Sequence, residues 1–234
     1  MTSAPTNANV LLIGASRGLG HAIAAEYLGR GSHVVATVRG GGRTPLHALR
    51  DTAGSQLEIE HVDIDVPEQV QALHDRLGAR TFDLLFVSAG VTHRIEETTA
   101  NISTAEFTRV MVTNALSPMR VIETLGHLTD RDGTIAIMSS GQGSVADNQG
   151  GGWEIYRASK AALNQLMRSY TARHRDESRS FLLMAPGWVK TELGGPNARL
   201  DIGESIPKLV TTIDAQRGHP GLQYLDYQGK TIAW

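Results

Sequence analysis

The chain has 234 residues, is 41% hydrophobic and carries a formal net charge of −2, enough apolar chain for one sizeable core and no basic excess that would point to nucleic acid. It contains no cysteine, which excludes disulfides, thiolate metal sites and cysteine nucleophiles and fits a reducing cytoplasm. No apolar run approaches the ~18 residues of a membrane span, so a cytoplasmic protein with no nucleic-acid or membrane partner is expected.

The opening MTSAPTNAN lacks the basic start and apolar centre of a signal peptide, and residues 1–8 read as a disordered lead-in. NVLLIG (9–14) is a short apolar run ending in glycine, the pattern of a buried strand, and a helical pattern runs from Gly18 to about Arg30. HVVATV (33–38) is a second strand; Thr44 and Pro45 start a short helix to about Ala53. LEIEHV (57–62) is a third strand, and Asp65, Pro67 and Glu68 open another helix. FDLLFVSAG (82–90) is a fourth strand, and Ser103 with Glu106 has capping-box spacing ahead of a long helix through about Leu128. GTIAIMSS (133–140) and SFLLMAPG (180–187) are the fifth and sixth strands, with a helix around Tyr156 between them. A helix near 205–213 and a short strand near 222–226 end the order. Strands alternating with helices predict a single α/β domain over residues 1–234. Its sheet should be Rossmann-like, doubly wound and mostly or all parallel, with helices on both faces.

GASRGLG (14–20) joins the first strand to the first helix. Gly14 allows the tight turn, Gly18 lets a pyrophosphate approach the backbone and Gly20 lets helix and strand pack, so an anion meets free N–H groups at a helix N-terminus. A site that prefers NAD places an acid at the end of the second strand to bind the ribose 2′-hydroxyl. Here that end reads Ala36-Thr37-Val38-Arg39, and Arg39 with Arg17 can pair with a 2′-phosphate. NADP(H) is therefore expected over NAD(H), and comparable kcat/KM with the two would refute that.

These motifs together make the sequence resemble the short-chain dehydrogenase/reductase family over nearly its whole length. GASRGLG is similar to the family's cofactor loop, with Ser16, Arg17 and Leu19 lining it; Val62-Asp63 matches its adenine-binding Asp position, with Ile64 also expected at the cofactor, and Ser88-Ala89-Gly90 stands where the family usually has Asn-Ala-Gly. Asn114, Ser140 and the Tyr156–Lys160 pair match its catalytic positions, and Pro186-Gly187-Trp188-Val189-Lys190-Thr191 matches P-G-x-V-x-T. Two departures stand out: Ser88 in place of Asn, and a longer stretch from Ser140 to Tyr156. That longer loop, with the short tail YLDYQGKTIAW, looks like the C-factor/Sniffer-type carbonyl reductase branch.

The resemblance implies an NADPH-dependent reduction of a ketone or aldehyde with roles for particular residues. Tyr156 is the general acid, Lys160 lowers its pKa and holds the nicotinamide ribose, Ser140 hydrogen-bonds the substrate oxygen, and Asn114 anchors a water in the proton relay or else serves as a packing amide. An ammonium ~5 Å from a phenolate at an effective dielectric of ~20 is worth roughly 3 kcal/mol, about two pKa units. Ser140 is preferred to Ser139, since alternation on a strand lets only one of them face the site. Pro186, Gly187, Val189 and Thr191 are expected at the cofactor, with capping of the next helix the other reading of Thr191. Gln142, Trp153 and Trp188 are expected to shape the substrate pocket together with His93, whose plainer reading is a surface histidine. Residues 190–204 read as a mobile lid.

The nine histidines lack metal-ligand spacing, so no metal is expected, and no G-x-S-x-G elbow suggests a serine hydrolase. The resemblance further implies a homodimer or homotetramer. The alternative function is a dinucleotide-binding regulatory or signalling protein on the same fold; a nucleotide-sugar epimerase or dehydratase is disfavoured by the short chain and its glycine spacing.

Overall fold

A computed structural model describes residues 7–94 and 96–234. The expected lead-in lies, over residues 1–6, outside the described residues; Ala8 is already buried, and its carbonyl accepts from the His33 N–H at 2.9 Å.

The elements follow the expected alternation: β1 (Asn9–Ile13), α1 (Gly18–Gly29), β2 (His33–Val38), α2 (Pro45–Ala53), β3 (Leu57–His61), α3 (Pro67–Leu77) and β4 (Phe82–Val87). They continue with α4 (Thr104–Met111), α5 (Ser117–Leu125), β5 (Thr129–Met138), α6 (Glu154–Arg173), β6 (Ser180–Ala185), α7 (Ile202–Ala215) and β7 (Gly221–Asp226). The strands form one seven-stranded sheet in the order β3-β2-β1-β4-β5-β6-β7, with every pairing parallel. Chain order runs outward from β1 to β3, then returns to the other side of β1 at β4. Such a reversal opens a crevice at the carboxyl ends of the two central strands.

The strand period sorts the core into two layers. Leu11 and Ile13 of β1 point to the face covered by α3, α5 and α6, among Leu73, Ile122, Leu163 and Met167. Val10 and Leu12 point to the face covered by α1, α2 and α7, among Ile23, Tyr27, Leu209 and Ile213. Each of these aliphatic side chains is fully buried and contributes about 1.5–3 kcal/mol. Because both faces are covered, β1 reads as a continuous apolar run rather than an alternation.

Beside strand ends shifted by a few residues, such as β5 beginning at Thr129 rather than Gly133, two helix boundaries differ from the sequence expectation. The long helix after β4 is not continuous: a π-helical turn, Val112–Leu116, separates α4 from α5. Pro118, in the first turn of α5, cannot donate a backbone hydrogen bond, and the change of register just before it accommodates that loss. The last helix starts earlier than expected, because Asp201 and Glu204 form a reciprocal capping box at its N-terminus.

Candidate active site

The crevice between β1 and β4 is floored by glycines that cannot be replaced without collision. A Cβ at Gly14 (φ +89°) would lie 2.8 Å from the Ala89 nitrogen, and one at Gly20 would lie 2.1 Å from the Gly14 carbonyl oxygen. Gly18 differs: it has φ +58° and open space where a side chain would stand. The amide of His21 is bonded to the Arg17 carbonyl, and no side chain caps the start of α1. The first-turn N–H groups there, after Ser16 and including Leu19, face the mouth of the crevice as anion donors.

Thr37, expected at the cofactor, is buried beside the glycine turn. Its hydroxyl accepts from the Gly14 N–H at 2.9 Å and its carbonyl from the Ala15 N–H at 2.8 Å, which fixes the glycine turn. Arg39 is exposed at the end of β2, and Arg17 is exposed and paired with Glu192 at 2.9 Å. Asp63 turns the chain after β3 by accepting from the Asp65 N–H at 3.0 Å, while Ile64 is buried beneath it. β4 stops at Val87; Ser88 donates its N–H to the Ile13 carbonyl at 2.8 Å and leads through Ala89 to Gly90.

The catalytic candidates converge at this crevice. Asn114, fully buried in the π-helical turn, uses its whole amide. Its Oδ1 accepts from the Val91 N–H at 2.8 Å, and its Nδ2 donates to the Val91 carbonyl at 2.8 Å and to the Ser159 hydroxyl at 3.0 Å. The side chain is thus a clamp on the loop after β4, the packing role that stood beside water anchoring in the sequence reading. Ser159 in turn donates to the Tyr156 carbonyl at 2.7 Å, so Asn114 is linked to α6 at the residue before Lys160. A Cβ at Gly90 would fall 3.4 Å from Asn114 Oδ1 and 3.6 Å from Lys160 Nζ, which brings the three residues to one spot.

Lys160 is buried and donates to the Met138 carbonyl at 2.9 Å, with Nζ 5.8 Å from the centre of the Tyr156 ring. Burial alone lowers its pKa to about 8. Burial pushes the Tyr156 phenol up to about 12, with a hydrogen bond to the Ser140 side chain pulling the other way and Tyr224 adding to the rise. The expected depression of the phenol by Lys160 is absent. Removing both heads from water outweighs their attraction, and the ammonium is aimed at a backbone carbonyl.

Ser140 and Ser139 divide as the strand alternation requires. Ser140 meets the Tyr156 phenol, and its hydroxyl accepts from the Gln142 N–H at 3.1 Å. Ser139 is buried and donates to Asn164 Oδ1 on α6 at 2.6 Å. A residue the sequence reading missed completes this arrangement: the Tyr224 phenol of β7 donates to the Ser140 carbonyl. Its signal in sequence was only a tyrosine in an otherwise ordinary final strand.

The segment expected to be a lid is tied down at both ends. Val189 and Leu200 form a parallel bridge, Lys190 pairs with Asp201 at 3.0 Å, and residues 202–204 belong to α7. Gly187 (φ +80°) is needed there, since a Cβ would meet Leu200 at 2.5 Å; the Pro186 carbonyl accepts from the buried Ser205 hydroxyl at 2.6 Å. Thr191 caps a local turn by accepting from the Gly194 N–H at 3.0 Å, and half-exposed Trp188 donates to the Gly194 carbonyl at 2.7 Å. His93 is not a surface residue: it is 5% exposed, and its ring meets Trp153 edge-on at 6.0 Å. Trp153, at the start of α6, holds a left-handed backbone with φ +54°.

Among the described residues no group of three His, Asp or Glu side chains could hold a metal ion, and no helix is long and apolar enough to cross a membrane. A family model for short chain dehydrogenases matches residues 8–199. A Burkholderia multivorans protein described as a short-chain dehydrogenase/reductase, solved with bound NADP, is 58% identical with a TM-score of 0.96, over 98% of this chain and 100% of that one. A carbonyl reductase from Pseudomonas aeruginosa in complex with NADP is 35% identical with a TM-score of 0.91, over 98% and 100% of the two chains. The C-signal protein of Myxococcus xanthus is 34% identical over 154 residues, 65% of this chain and 92% of its own length. With its all-parallel sheet, glycine crevice and Tyr156–Lys160 pair, the chain belongs to the short-chain dehydrogenase/reductase family of oxidoreductases.

Proposed function

We propose that the protein is an NADPH-dependent reductase of a ketone or aldehyde, with Tyr156 as the general acid. The observation that carries this reading is the convergence of Tyr156, Ser140 and buried Lys160 beside the glycine crevice. The crevice fits a dinucleotide: Gly18 leaves open space at the first-turn amides of α1, while Gly14 and Gly20 allow the backbone to close beneath it. NADP bound in the Burkholderia and Pseudomonas structures supports the same cofactor here, and exposed Arg17 and Arg39 suit a 2′-phosphate.

When bound, NADPH supplies the hydride that no side chain can provide. The residues that would hold it are the 14–20 loop, Arg39, Asp63 and Ile64, Ser88 to Gly90, and the Pro186, Gly187, Val189 and Thr191 segment. Lys160, with Nζ beside Gly90, is positioned to hold the nicotinamide ribose. Ser140 donates to the carbonyl oxygen, which gains charge as the carbon is reduced. Tyr156 then passes its phenolic proton to that oxygen. A phenol held near 12 is fully protonated at neutral pH and still far more acidic than the alcohol it forms, so transfer runs downhill. Asn114 contributes by clamping Val91, which keeps Gly90 close to Lys160. Exposed Phe107, Leu116 and Leu166, on the helices after β4 and β5, support a homodimer or homotetramer as the working form.

The test is the Tyr156→Phe variant: turnover in an NADPH-oxidation screen of aldehydes and ketones should fall about 10³-fold while NADPH affinity stays within about 2-fold. Retained turnover would refute the mechanism. The C-signal likeness keeps a second reading, a dinucleotide-binding signalling protein. Tight NADPH binding by the wild type, with no oxidation across the whole screen, would favour it.

A further inference from the structure

We propose that His93 is a specificity-determining residue that selects carbonyl substrates bearing a hydroxyl group, hydroxyketones or hydroxyaldehydes, by bonding that hydroxyl. The proposal rests on the reductase reading above and names the substrate class of that site.

The starting observation is an unmet demand. Both ring nitrogens of His93 are buried and, among the described residues, neither has a hydrogen-bond partner. A buried polar group left in this state costs about 1–3 kcal/mol, and the great majority of such groups in folded proteins are paired. The residue is not remote from the chemistry. It follows Val91, whose N–H and carbonyl are both clamped by Asn114, and Gly90, which lies against Lys160 Nζ. Its ring also abuts Trp153, at the start of the helix that carries Tyr156. Trp153 is in a left-handed conformation that a bulky side chain rarely adopts, and such strain tends to be retained where a ligand is gripped.

The chemistry of the orphaned groups narrows the ligand. A neutral imidazole has a donor at one nitrogen and an acceptor at the other, and a hydroxyl can pair with whichever of the two faces the cleft. On the Ser140 side of the cleft, Gln142 Oε1 is also buried without a partner, and it too calls for a donor. A second carbonyl or an ether would leave that oxygen unpaired, and a carboxylate would set lone pairs against it. Arg109, which bonds the neighbouring Thr92 carbonyl at 3.0 Å, is matched by Glu106 through contacts of 2.6 and 2.7 Å, so its charge is already committed. An uncharged hydroxyl is what remains.

The test uses three ketones with one body: acetophenone, 2-hydroxyacetophenone and 2-methoxyacetophenone. The hydroxy and methoxy groups draw electrons from the carbonyl to a similar degree, but only the first can donate. In the wild type, kcat/KM should favour the hydroxy compound over the methoxy compound by about 10–100-fold, and His93→Phe should bring the ratio to within about 3-fold. A second measurement needs no variant: in the NADP⁺-loaded protein with ¹⁵N-labelled histidine, the His93 ring resonances should move with 2-hydroxyacetophenone and stay in place with the methoxy compound. A hydroxy-to-methoxy ratio unchanged in His93→Phe, with NADPH still consumed, would overturn the proposal and leave the reductase reading intact. Unmoved His93 resonances would overturn it as well. Failure of the wild type to oxidise NADPH with any carbonyl would instead sink the reductase reading, and the resonance shift would then decide whether His93 is a hydroxyl site.

Discussion

The two halves of the cleft are built on opposite terms. On the cofactor side the backbone is pressed together and satisfied: Gly20 packs on the Gly14 carbonyl, Thr37 answers the Gly14 amide, and Asn114 answers both polar groups of Val91. On the proposed substrate side His93 and Gln142 keep buried atoms without partners among the described residues, and Trp153 holds a costly backbone conformation. The first arrangement suits a ligand whose shape does not vary, held by main-chain groups that no mutation can remove. The second leaves its demands open, so that only a ligand with matching groups relieves them. A pocket of that kind discriminates through what it lacks.

The sharpest break of this contrast is a pair of substitutions. Gly20→Ala forces a Cβ onto a backbone carbonyl and should cost about 3 kcal/mol, a fall in Tm of about 6–10 °C by thermal denaturation. His93→Phe removes two unpaired buried nitrogens and should leave Tm unchanged or raised. A comparable fall in both would erase the distinction.

Lys160 joins the two halves and carries a stability cost of its own. Its pKa of about 8 in the folded chain, against an ordinary 10.5, means that folding is opposed by roughly 3 kcal/mol at pH 7. The unfolded chain holds that proton up to higher pH, so stability should rise between pH 8 and 10.5 and not fall. Lys160→Met should flatten this rise and raise Tm at pH 7, with a gain of about 1–2 kcal/mol once the unpaired Met138 carbonyl is allowed for, while turnover is lost. A lower Tm in that variant would contradict the depressed pKa. The smallest effect is expected from Tyr224→Phe, which removes one hydrogen bond to the Ser140 carbonyl and should lower kcat about 5–10-fold with KM nearly unchanged.

Much of this was legible in the sequence because it is local. Apolar or alternating runs marked the strands, GASRGLG lies where the crevice opens, and Tyr156 and Lys160 meet because a helix brings residues four apart to one face. What escaped depends on contacts across the chain. Thr37 stands at the expected strand end, but only its partner, Gly14, 23 residues away, makes it a turn clamp. The burial of His93 follows from neighbours on other elements, and nothing in its flanking residues separates it from a surface histidine. Pro118 was a readable sign that the long helix must change register, although it does not say that Asn114 sits at the change.

The bond from Tyr224 to Ser140 spans 84 residues, from the sheet's seventh strand to the turn just after the fifth. Synthesis from the N-terminus delivers the glycine loop, the β4 loop and α6 well before β7. A nascent chain can therefore assemble the dinucleotide crevice while the serine beside the acid still lacks its brace. The outermost strand, among the last elements to emerge, is thus the one that carries the brace of Ser140.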